Sequence, residues 1–407
     1  MEIVQDQEIS EPVSPPGQFL SNSILSLSII AVMEFEAPFD DSQAIPFLKD
    51  VFLPHRPNRV FKLQVADKDG VKRWKRVEYL SKMAIEQLPQ SQPLWEVHII
   101  NYPTSHAASS IIFKLHHSLG DGFSLMGALL SCLQRADAPP LPLTFPSVQL
   151  HTNTYGRNSS MFRKVPRFFS SVYNTASDFC SSIIKSCLVK DDKTPIRSGN
   201  SGVEFLPVAI TTMAFSLDQI KQIKAKLGVT INDVITGIIF LGARMYMETV
   251  SQGSGSACSP SLVLLNTRMH GSYKSIQEMV KPDAESPRGN HFAFLNVRIP
   301  KLRDAEAKNN PLKFVLNARK IIKRKRSSFG VYLTARYLQL AAKFRGPNVW
   351  EHLIKYIYGT MKNTSMGISN VRGPMEQMAL ANNPVNGLYF VVTGAPQVYE
   401  CSSNFKQ

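Results

Sequence analysis

The chain has 407 residues, of which 43% are hydrophobic and 19% charged, a composition that is typical of globular proteins and excludes a disordered chain. It carries 46 Lys and Arg residues against 31 Asp and Glu residues, and the net charge of +15 favours anionic partners such as nucleic acid, anionic lipid or a phosphate-rich substrate. The basic residues are spread over many segments and form no zinc finger or RNA-binding motif, so we expect no nucleic-acid partner.

The length predicts two domains of about 150–200 residues each. The five cysteines form no CxxC pair, which favours reduced thiols in a cytosol-facing protein and predicts no metal site. The segment Met1–Pro16 is acidic and polar and lacks the features of a signal peptide. No window of about 18 uninterrupted apolar residues occurs, so we expect no transmembrane helix.

The first half predicts mainly strands, followed by one helix. Phe19–Phe35 is rich in β-branched residues and predicts a strand, and Val71–Val77 predicts a basic strand. Leu94–Tyr102 and Ala108–Leu115 flank a turn and predict a hairpin. Phe123–Arg135 has apolar residues at helical spacing and predicts a helix.

A Pro-rich segment, Ala136–Ser147, ends this unit, and His151–Asn200 reads as a basic linker. We therefore place one domain at residues 1–195, with the linker starting near residue 151, and a second at residues 196–407. Strands and helices alternate irregularly in the second half, which predicts mixed α/β layers. The strands predicted there are Val208–Phe215, Ser259–Asn266, His291–Ile299, Ser365–Val371 and Gly387–Val392, and the helices are Ser216–Gly228, Thr230–Val250, Asn310–Ser327, Ser328–Arg345 and Val349–Met361.

One motif carries chemistry. Directly after the second hairpin strand the chain reads His116-His117-x-x-x-Asp121-Gly122. An imidazole with a pKa near 6.5 suits general-base catalysis, and adjacent residues of a strand point to opposite faces, so only one histidine can face reacting groups. A carboxylate at Asp121 could pair with an arginine and hold the turn, and Gly122 permits close backbone approach.

The HHxxxDG pattern resembles the acyltransferase superfamily that includes chloramphenicol acetyltransferase and peptide-synthesis condensation domains. Three further segments resemble the PLW, ND and SNVxGP motifs of wax ester synthase/diacylglycerol acyltransferases. These segments are Pro93-Leu94-Trp95, Asn232-Asp233 and Ser369–Pro374. Pro12–Pro15 resembles the plant members, and the likeness extends from about Pro12 to Gln397.

The resemblance implies an α/β fold of mixed α+β type, with two chloramphenicol-acetyltransferase-like domains and a substrate tunnel between them. It implies that His117 is the general base, that His116 supports it, that Asp121 is structural, and that Arg268 is the partner of Asp121. The implied substrates are a fatty acyl-CoA and a fatty alcohol or diacylglycerol, without metal or other cofactor. The implied location is the cytosolic side of the endoplasmic reticulum membrane, or the plasma membrane.

The other motif residues have structural alternatives. Trp95 is a core aromatic or a tunnel wall. Asn232 and Asp233 are first-turn and capping residues of a helix, or they line the substrate site. Gly373 shapes a turn, whereas the Asn370 amide could donate to the thioester oxygen as charge develops.

Two basic stretches favour contact with a membrane surface. Basic residues alternate with aromatic ones in Met161–Phe169, and six of the eight residues in Arg319–Arg326 are basic. A solvated helix face, binding of coenzyme A phosphates and a chance run that resembles a nuclear signal are alternatives for the second stretch.

The chain departs from the resembled family at two places. A segment that members usually carry between Glu78 and Tyr79 is missing, and Val398–Gln407 does not resemble the strand and helix with which members continue. Loss of these elements would expose a sheet edge and apolar surface. Three hypotheses follow: a long-chain acyltransferase, an acyltransferase for short soluble alcohols, and an inactive lipid-binding or regulatory isoform. The sequence indicates no oligomeric state.

Overall fold

The computed structural model describes residues 25–39, 74–89, 93–104, 107–143, 192–200, 202–267, 289–302, 310–326, 347–371, 373–396 and 399–404. Its strands are β1 (Ser28–Phe35), β2 (Trp95–Ile100), β3 (Ser109–His116), β4 (Gln134–Arg135), β5 (Pro260–Asn266), β6 (Phe292–Arg298), β7 (Met366–Val371), β8 (Met378–Leu380), β9 (Asn383–Thr393) and β10 (Tyr399–Asn404). Its α-helices are α1 (Trp74–Ile85), α2 (Gly122–Leu130), α3 (Leu217–Leu227), α4 (Ile231–Val250), α5 (Pro311–Arg326) and α6 (Pro347–Lys362).

The first sheet has the strand order β2-β3-β1-β9-β8-β4. The hairpin β2–β3 is confirmed, with Trp95 opposite Leu115 in antiparallel register. β1 lies between β3 and β9 and is antiparallel to both. Two strands from the last part of the chain therefore complete a sheet that the first half begins. The domain boundary near residue 195 stays a prediction, because residues 144–191 lie outside the described part.

Both faces of this sheet are covered, because alternate side chains of each strand point to opposite sides. On one face Met33, Ile99 and Phe113 pack with Met126 and Leu129 of α2. On the other face the sheet packs against α1 (Ile30, Val32 and Ile112 with Leu80 and Met83). The helix α2, which follows the two histidines in the chain, therefore packs on the face of the sheet that contains Phe113 of β3.

The second sheet has the order β10-β7-β5-β6, in which β7 runs parallel to β5 and β10. On one face Leu295 and Val297 pack with Phe240 of α4 and Phe314 of α5. Another core joins the sheet, α6 and the residues before β1 (Leu25, Leu27, Leu262 and Met361). The chain entering the first sheet therefore packs against the second sheet.

Most predicted elements of the second half are present. Ser216 caps α3 and Gly228 ends it in the left-handed conformation, as the capping pattern predicts. Thr230 and Asp233 form the predicted capping box of α4. The predicted helix Ser328–Arg345 and the first part of Phe19–Phe35 lie outside the described residues.

Four predictions on elements are corrected. Val208–Phe215 forms no strand, since Val208 and Ile210 pack on the first sheet as irregular chain. Val71–Val77 is wrong as a strand because α1 begins at Trp74 and buries residues at helical spacing. α2 ends at Leu130, before the predicted Arg135. The expected loss of a final strand is wrong, because Tyr399–Asn404 pairs with β7.

None of the described helices is by itself both long enough and apolar enough to span a membrane. α3 and α4 satisfy the length and composition criterion only together, as a pair bent by 101°.

Candidate active site

The two histidines lie where β3 ends and a short 3-10 turn, His117–Leu119, begins. The backbone N–H of His116 donates to Leu94 O at 2.8 Å, and that of His117 donates to Leu27 O at 2.8 Å. Neighbouring segments of the same chain, one on each side, thus fix the backbone at this point. Each histidine is 3% exposed.

His117 is held by Asn290, which precedes β6. The Nδ2 group of Asn290 donates to the backbone oxygen of His117 at 2.8 Å. Because a carbonyl oxygen only accepts, this contact sets the orientation of the amide and turns Oδ1 towards the ring, 3.0 Å from Nδ1. Nδ1 is then the protonated nitrogen and donates to Oδ1. Nε2 carries the lone pair, which is the tautomer that a general base needs.

The surroundings keep this ring neutral. Burial lowers the pKa of His117 below its ordinary value of 6.5, while the charge of Asp121 and the hydrogen bond with Asn290 act in the opposite direction. The Phe292 ring lies 5.6 Å from the imidazole, centroid to centroid, in an edge-to-face arrangement. At neutral pH the imidazole is therefore unprotonated and can accept a proton.

His116 has the opposite tautomer. Its Nδ1 accepts the backbone N–H of Ser118 at 3.2 Å and lies 2.7 Å from Ser118 Oγ. Its Nε2 is left to donate to Ser26 Oγ at 3.2 Å. Burial, with a smaller effect of His117, lowers the pKa of His116 to about 4. Nδ1 thus contacts the turn and Nε2 contacts the segment before β1, and both contacts fit the expected supporting role.

Asp121 joins the motif to the segment that carries Asn290. Its Oδ1 accepts the Ser124 N–H at 3.0 Å and so caps α2. Its Oδ2 accepts the His291 N–H at 2.9 Å. Ser124 Oγ also donates to Gly289 O at 2.9 Å. These contacts fit a structural role for Asp121, whereas Arg268 lies outside the described residues, so its pairing with Asp121 stays a prediction.

The segment Gly289-Asn290-His291 is the part of the site that sequence reasoning missed. Gly289 has φ of 113°, a conformation that side chains rarely adopt. A Gly-Asn pair just before a predicted strand was the available signal. The sequence held nothing to connect Asn290 with His117, which lies 173 positions away.

The ND and SNVxGP motifs meet beside the histidine turn. Asn370 on β7 donates through Nδ2 to Asn232 Oδ1 at the start of α4. A Cβ atom built at Gly122 would lie 3.2 Å from Cγ2 of Val371, so the end of β7 packs against the turn of the first motif. Gly373 is buried two residues further on.

The predicted function of Asn370 as a hydrogen-bond donor needs its Nδ2 group, which already donates a hydrogen bond within the protein. Its Nδ2 is paired with Asn232, while its buried Oδ1 has no hydrogen-bond partner among the described residues. Donation to a thioester oxygen stays a prediction, and it requires this pair to separate.

Asp233 and Trp95 have structural surroundings. Asp233 exchanges capping hydrogen bonds with Thr230 and forms an ion pair with Arg319, its Oδ2 lying 3.6 Å from Nε. Trp95 is half-buried and packs against the core of the first sheet. Both observations favour the structural alternative for these residues.

Among the described residues no group of three or more His, Cys, Asp or Glu side chains could hold a metal ion. The expectation of chemistry without a metal or other cofactor stays a prediction.

Two family models match the chain in sequence order. The wax ester synthase/diacylglycerol acyltransferase catalytic domain matches residues 75–235, and the WS/DGAT C-terminal domain matches residues 288–402. Together they span most of the chain, and each includes motif residues placed above.

Curated relatives from Arabidopsis thaliana are similar over most of the sequence. Wax ester synthase/diacylglycerol acyltransferase 4 is 27% identical over 429 aligned residues, covering 93% of this chain and 80% of the relative. Wax ester synthase/diacylglycerol acyltransferase 11 is 27% identical, covering 78% of this chain and 67% of the relative.

Solved structures share the fold. Wax ester synthase/diacylglycerol acyltransferase from Marinobacter aquaeolei VT8 superposes with a TM-score of 0.53 at 16% identity, covering 97% of this chain and 90% of that structure. The first condensation domain of the CDA synthetase superposes with a TM-score of 0.51 at 10% identity, covering 93% and 82%. The expected mixed α/β fold of the acyltransferase superfamily is therefore confirmed.

Proposed function

Because this chain belongs to the wax ester synthase/diacylglycerol acyltransferase family, it is an acyl-CoA-dependent O-acyltransferase, and we propose that it acts on long-chain substrates with His117 as general base. The proposed reaction moves a long-chain fatty acyl group from coenzyme A to a long-chain fatty alcohol. The product is a wax ester, and with diacylglycerol as a second acceptor it is triacylglycerol.

In the proposed step, Nε2 of His117 accepts the proton of the acceptor hydroxyl while the hydroxyl oxygen bonds to the thioester carbon. The C–S bond then breaks and its electron pair goes to sulfur. The proton passes from Nε2 to the coenzyme A thiolate, so the products are an ester and free coenzyme A. The histidine returns to its neutral form.

The observation that carries this proposal is the clamp between His117 and Asn290. It supports one tautomer, with the proton on Nδ1 and the lone pair on Nε2. Burial adds to this by lowering the pKa of His117, which keeps the base form populated. Asp121 supports the two segments that carry His117 and Asn290, because it caps α2 with one oxygen and accepts the His291 N–H with the other.

The long-chain acceptors of the proposal reside in bilayers, so we propose a membrane surface as a partner. The expected locations are the cytosolic side of the endoplasmic reticulum membrane or the plasma membrane. Support comes from the segment 205–215, where Phe205, Leu206, Met213 and Phe215 are between 57% and 79% exposed. Large apolar side chains exposed together are typical of membrane or protein contacts.

The test is turnover of palmitoyl-CoA with hexadecanol, and then with dioleoylglycerol, by purified protein and by His117→Ala. Loss of a general base should lower kcat by roughly 100- to 10,000-fold. His352→Ala, an exposed histidine on α6, is the matched control and should retain activity.

Other outcomes would support the alternative functions. Turnover only with short soluble alcohols would support an acyltransferase for such alcohols. A folded protein that binds palmitoyl-CoA without turnover would support an inactive lipid-binding or regulatory isoform. Unchanged activity in His117→Ala would remove the general-base proposal.

A further inference from the structure

A strongly basic helix packs beside the start of α4, which β7 connects to the histidine turn. The helix α5 contains seven Lys and Arg residues and no Asp or Glu, and four of the basic residues form its last turn. The end of any helix attracts cations through the partial negative charge of its last carbonyl groups. This attraction is confined to the last turn of a helix. It therefore does not explain the position of Arg319, which lies earlier in α5.

The direction of α5 brings its basic end to the start of α4. Arg319 pairs with Asp233 in the first turn of α4, whereas Val315 contacts Gly237 one turn further along α4. The two helices are therefore antiparallel. At 1.5 Å per residue, the helix axis rises about 10 Å from Arg319 to Arg326, so α5 extends past the start of α4.

Three cations of α5 share one flank. Arg319, Lys323 and Arg326 have the spacing i, i+4 and i+7, which places them on the same side of the helix. Arg319 Nε lies 3.6 Å from Oδ2 of Asp233 in α4. This ion pair shows that the side of α5 with the three cations is the side next to α4. Lys323 and Arg326 are exposed. We name these three residues the basic flank.

Packing and hydrogen bonds connect the basic flank to the catalytic turn. Asn232 follows the cap of α4 and accepts from Asn370 on β7. The next residue of β7, Val371, packs against Gly122 of the HHxxxDG motif. The N-terminus of α4 also contributes partial positive charge on this side.

We propose that the basic flank binds the phosphate groups of acyl-CoA and holds them in front of α4 while the thioester reaches His117. The inference rests on the proposed function for the identity of the substrate. Coenzyme A carries phosphates on its adenosine end, far from the sulfur, and both Arg and Lys are suited to phosphate oxygens.

The surroundings favour a soluble phosphate group over an anionic bilayer. A bilayer contact combines cations with apolar side chains that enter the lipid. Among the described residues of α5, Leu316 is the one large apolar side chain that is exposed, and it lies before the basic flank, whereas four such side chains are exposed in the segment 205–215.

The test is the double substitution Lys323→Glu with Arg326→Glu. The matched control is Arg298→Glu with Lys301→Glu, which changes the net charge equally. These control residues are exposed near the far end of α4, where Arg244 donates to the Pro300 oxygen. Loss of charge-assisted contacts should raise KM for palmitoyl-CoA roughly tenfold or more in the test variant, with little change in kcat. The control should retain the wild-type KM.

Palmitoyl-pantetheine, which lacks the phosphoadenosine part, separates phosphate binding from other effects. We expect the test variant and the wild type to use it equally well. An equal loss with both acyl donors would overturn the proposal.

Two further measurements keep the inference independent of turnover. Calorimetric binding of adenosine 3′,5′-bisphosphate should be present in the wild type and the control and weakened in the test variant. Equal binding by all three proteins would overturn the proposal, even if the wild type shows no acyl transfer. Loss of flotation with phosphatidylcholine–phosphatidylserine vesicles, with KM unchanged, would assign the flank to a membrane and also overturn it.

Discussion

At the scale of residues, the decisive feature is the pair formed by His117 and Asn290. A single amide contacts both the backbone oxygen and the ring Nδ1 of the histidine. One side chain thereby sets the position of the ring and the location of its proton. His116, one residue earlier, has its proton on the other nitrogen because the Ser118 N–H occupies Nδ1.

The first prediction concerns this pair. Asn290→Leu removes the acceptor that holds the proton on Nδ1, so the ring can adopt the wrong tautomer. We expect kcat to fall roughly 10- to 1,000-fold, measured with palmitoyl-CoA and hexadecanol. Asn296→Leu, on β6, is the matched control. If both variants lose activity equally, the tautomer explanation is wrong.

The second prediction concerns pH. Activity requires neutral His117, whose pKa is lowered by burial from 6.5. The acid limb of the kcat/KM profile should therefore be centred below pH 6.5, because the base form persists until the pH falls through that lowered value. Initial rates between about pH 5 and pH 8 check this. A limb centred at or above pH 6.5 would contradict it.

Stability must be measured over the same range as a control. The pKa of His116 is about 4 in the folded protein and 6.5 without burial. Between these values the unfolded chain binds the proton first, so the free energy of unfolding falls as the pH drops from 6.5 towards 4. Rates should be compared only where urea denaturation shows a folded enzyme.

At the scale of elements, the contact between α4 and α5 positions the basic flank. The helices approach closely at Gly237, where a Cβ atom would lie 2.7 Å from Cγ2 and 2.9 Å from Cα of Val315. The second distance involves backbone, so a side-chain rotation cannot relieve the clash. A small residue is therefore required at this crossing.

The third prediction uses two glycines of α4. Gly237→Ala should lower the free energy of unfolding by about 1–3 kcal/mol through overpacking, as measured by urea denaturation. Gly242→Ala is the matched control, because a Cβ atom there meets nothing within 4 Å. It should stabilise the protein by about 1 kcal/mol, since alanine favours helix more than glycine does. Similar effects at both positions would refute the close approach.

Elements with local signals could be predicted from sequence. The caps of α3 and α4 depend on contacts within three residues, such as Thr230 with Asp233, and these contacts appear as predicted. The error at Val208–Phe215 has a different origin. Strand formation needs a neighbouring strand with free hydrogen-bonding groups, and sequence pattern does not show whether one is there.

At the scale of the whole molecule, two strands from the last part of the chain connect the two halves by joining the first sheet. β9 pairs with β1 along its length, with Ser28 opposite Thr393. β10 adds to the second sheet next to β7. Residues close to the end of the chain therefore contribute to both sheets.

The fourth prediction concerns the proposed membrane surface. Met213→Ser with Phe215→Ser removes two exposed apolar side chains, each of which contributes about 1.5–3 kcal/mol when fully buried. We expect flotation with phosphatidylcholine vesicles that contain dioleoylglycerol to weaken at least tenfold. Turnover of a short soluble alcohol should be unchanged.

The control for the membrane prediction is Leu141→Ser with Met375→Ser, two exposed apolar residues outside that segment. Equal loss of flotation in both double variants would show that no specific surface is involved.

The sequence by itself determined the family, the motifs and most helices and strands. These depend on residue types at fixed short spacing, so they can be identified without knowledge of the fold. The position of His117 at the end of a strand, followed by a helix, belongs to this class.

Only the tertiary structure decided which groups meet. Asn290 lies 173 positions from His117, and Asn370 lies 138 positions from Asn232. Hydrogen bonds act over about 3 Å, so their partners are chosen by the packing of sheets and helices and not by separation along the chain. For the same physical reason, the antiparallel packing of α5 on α4 decided where the basic residues lie relative to the catalytic turn.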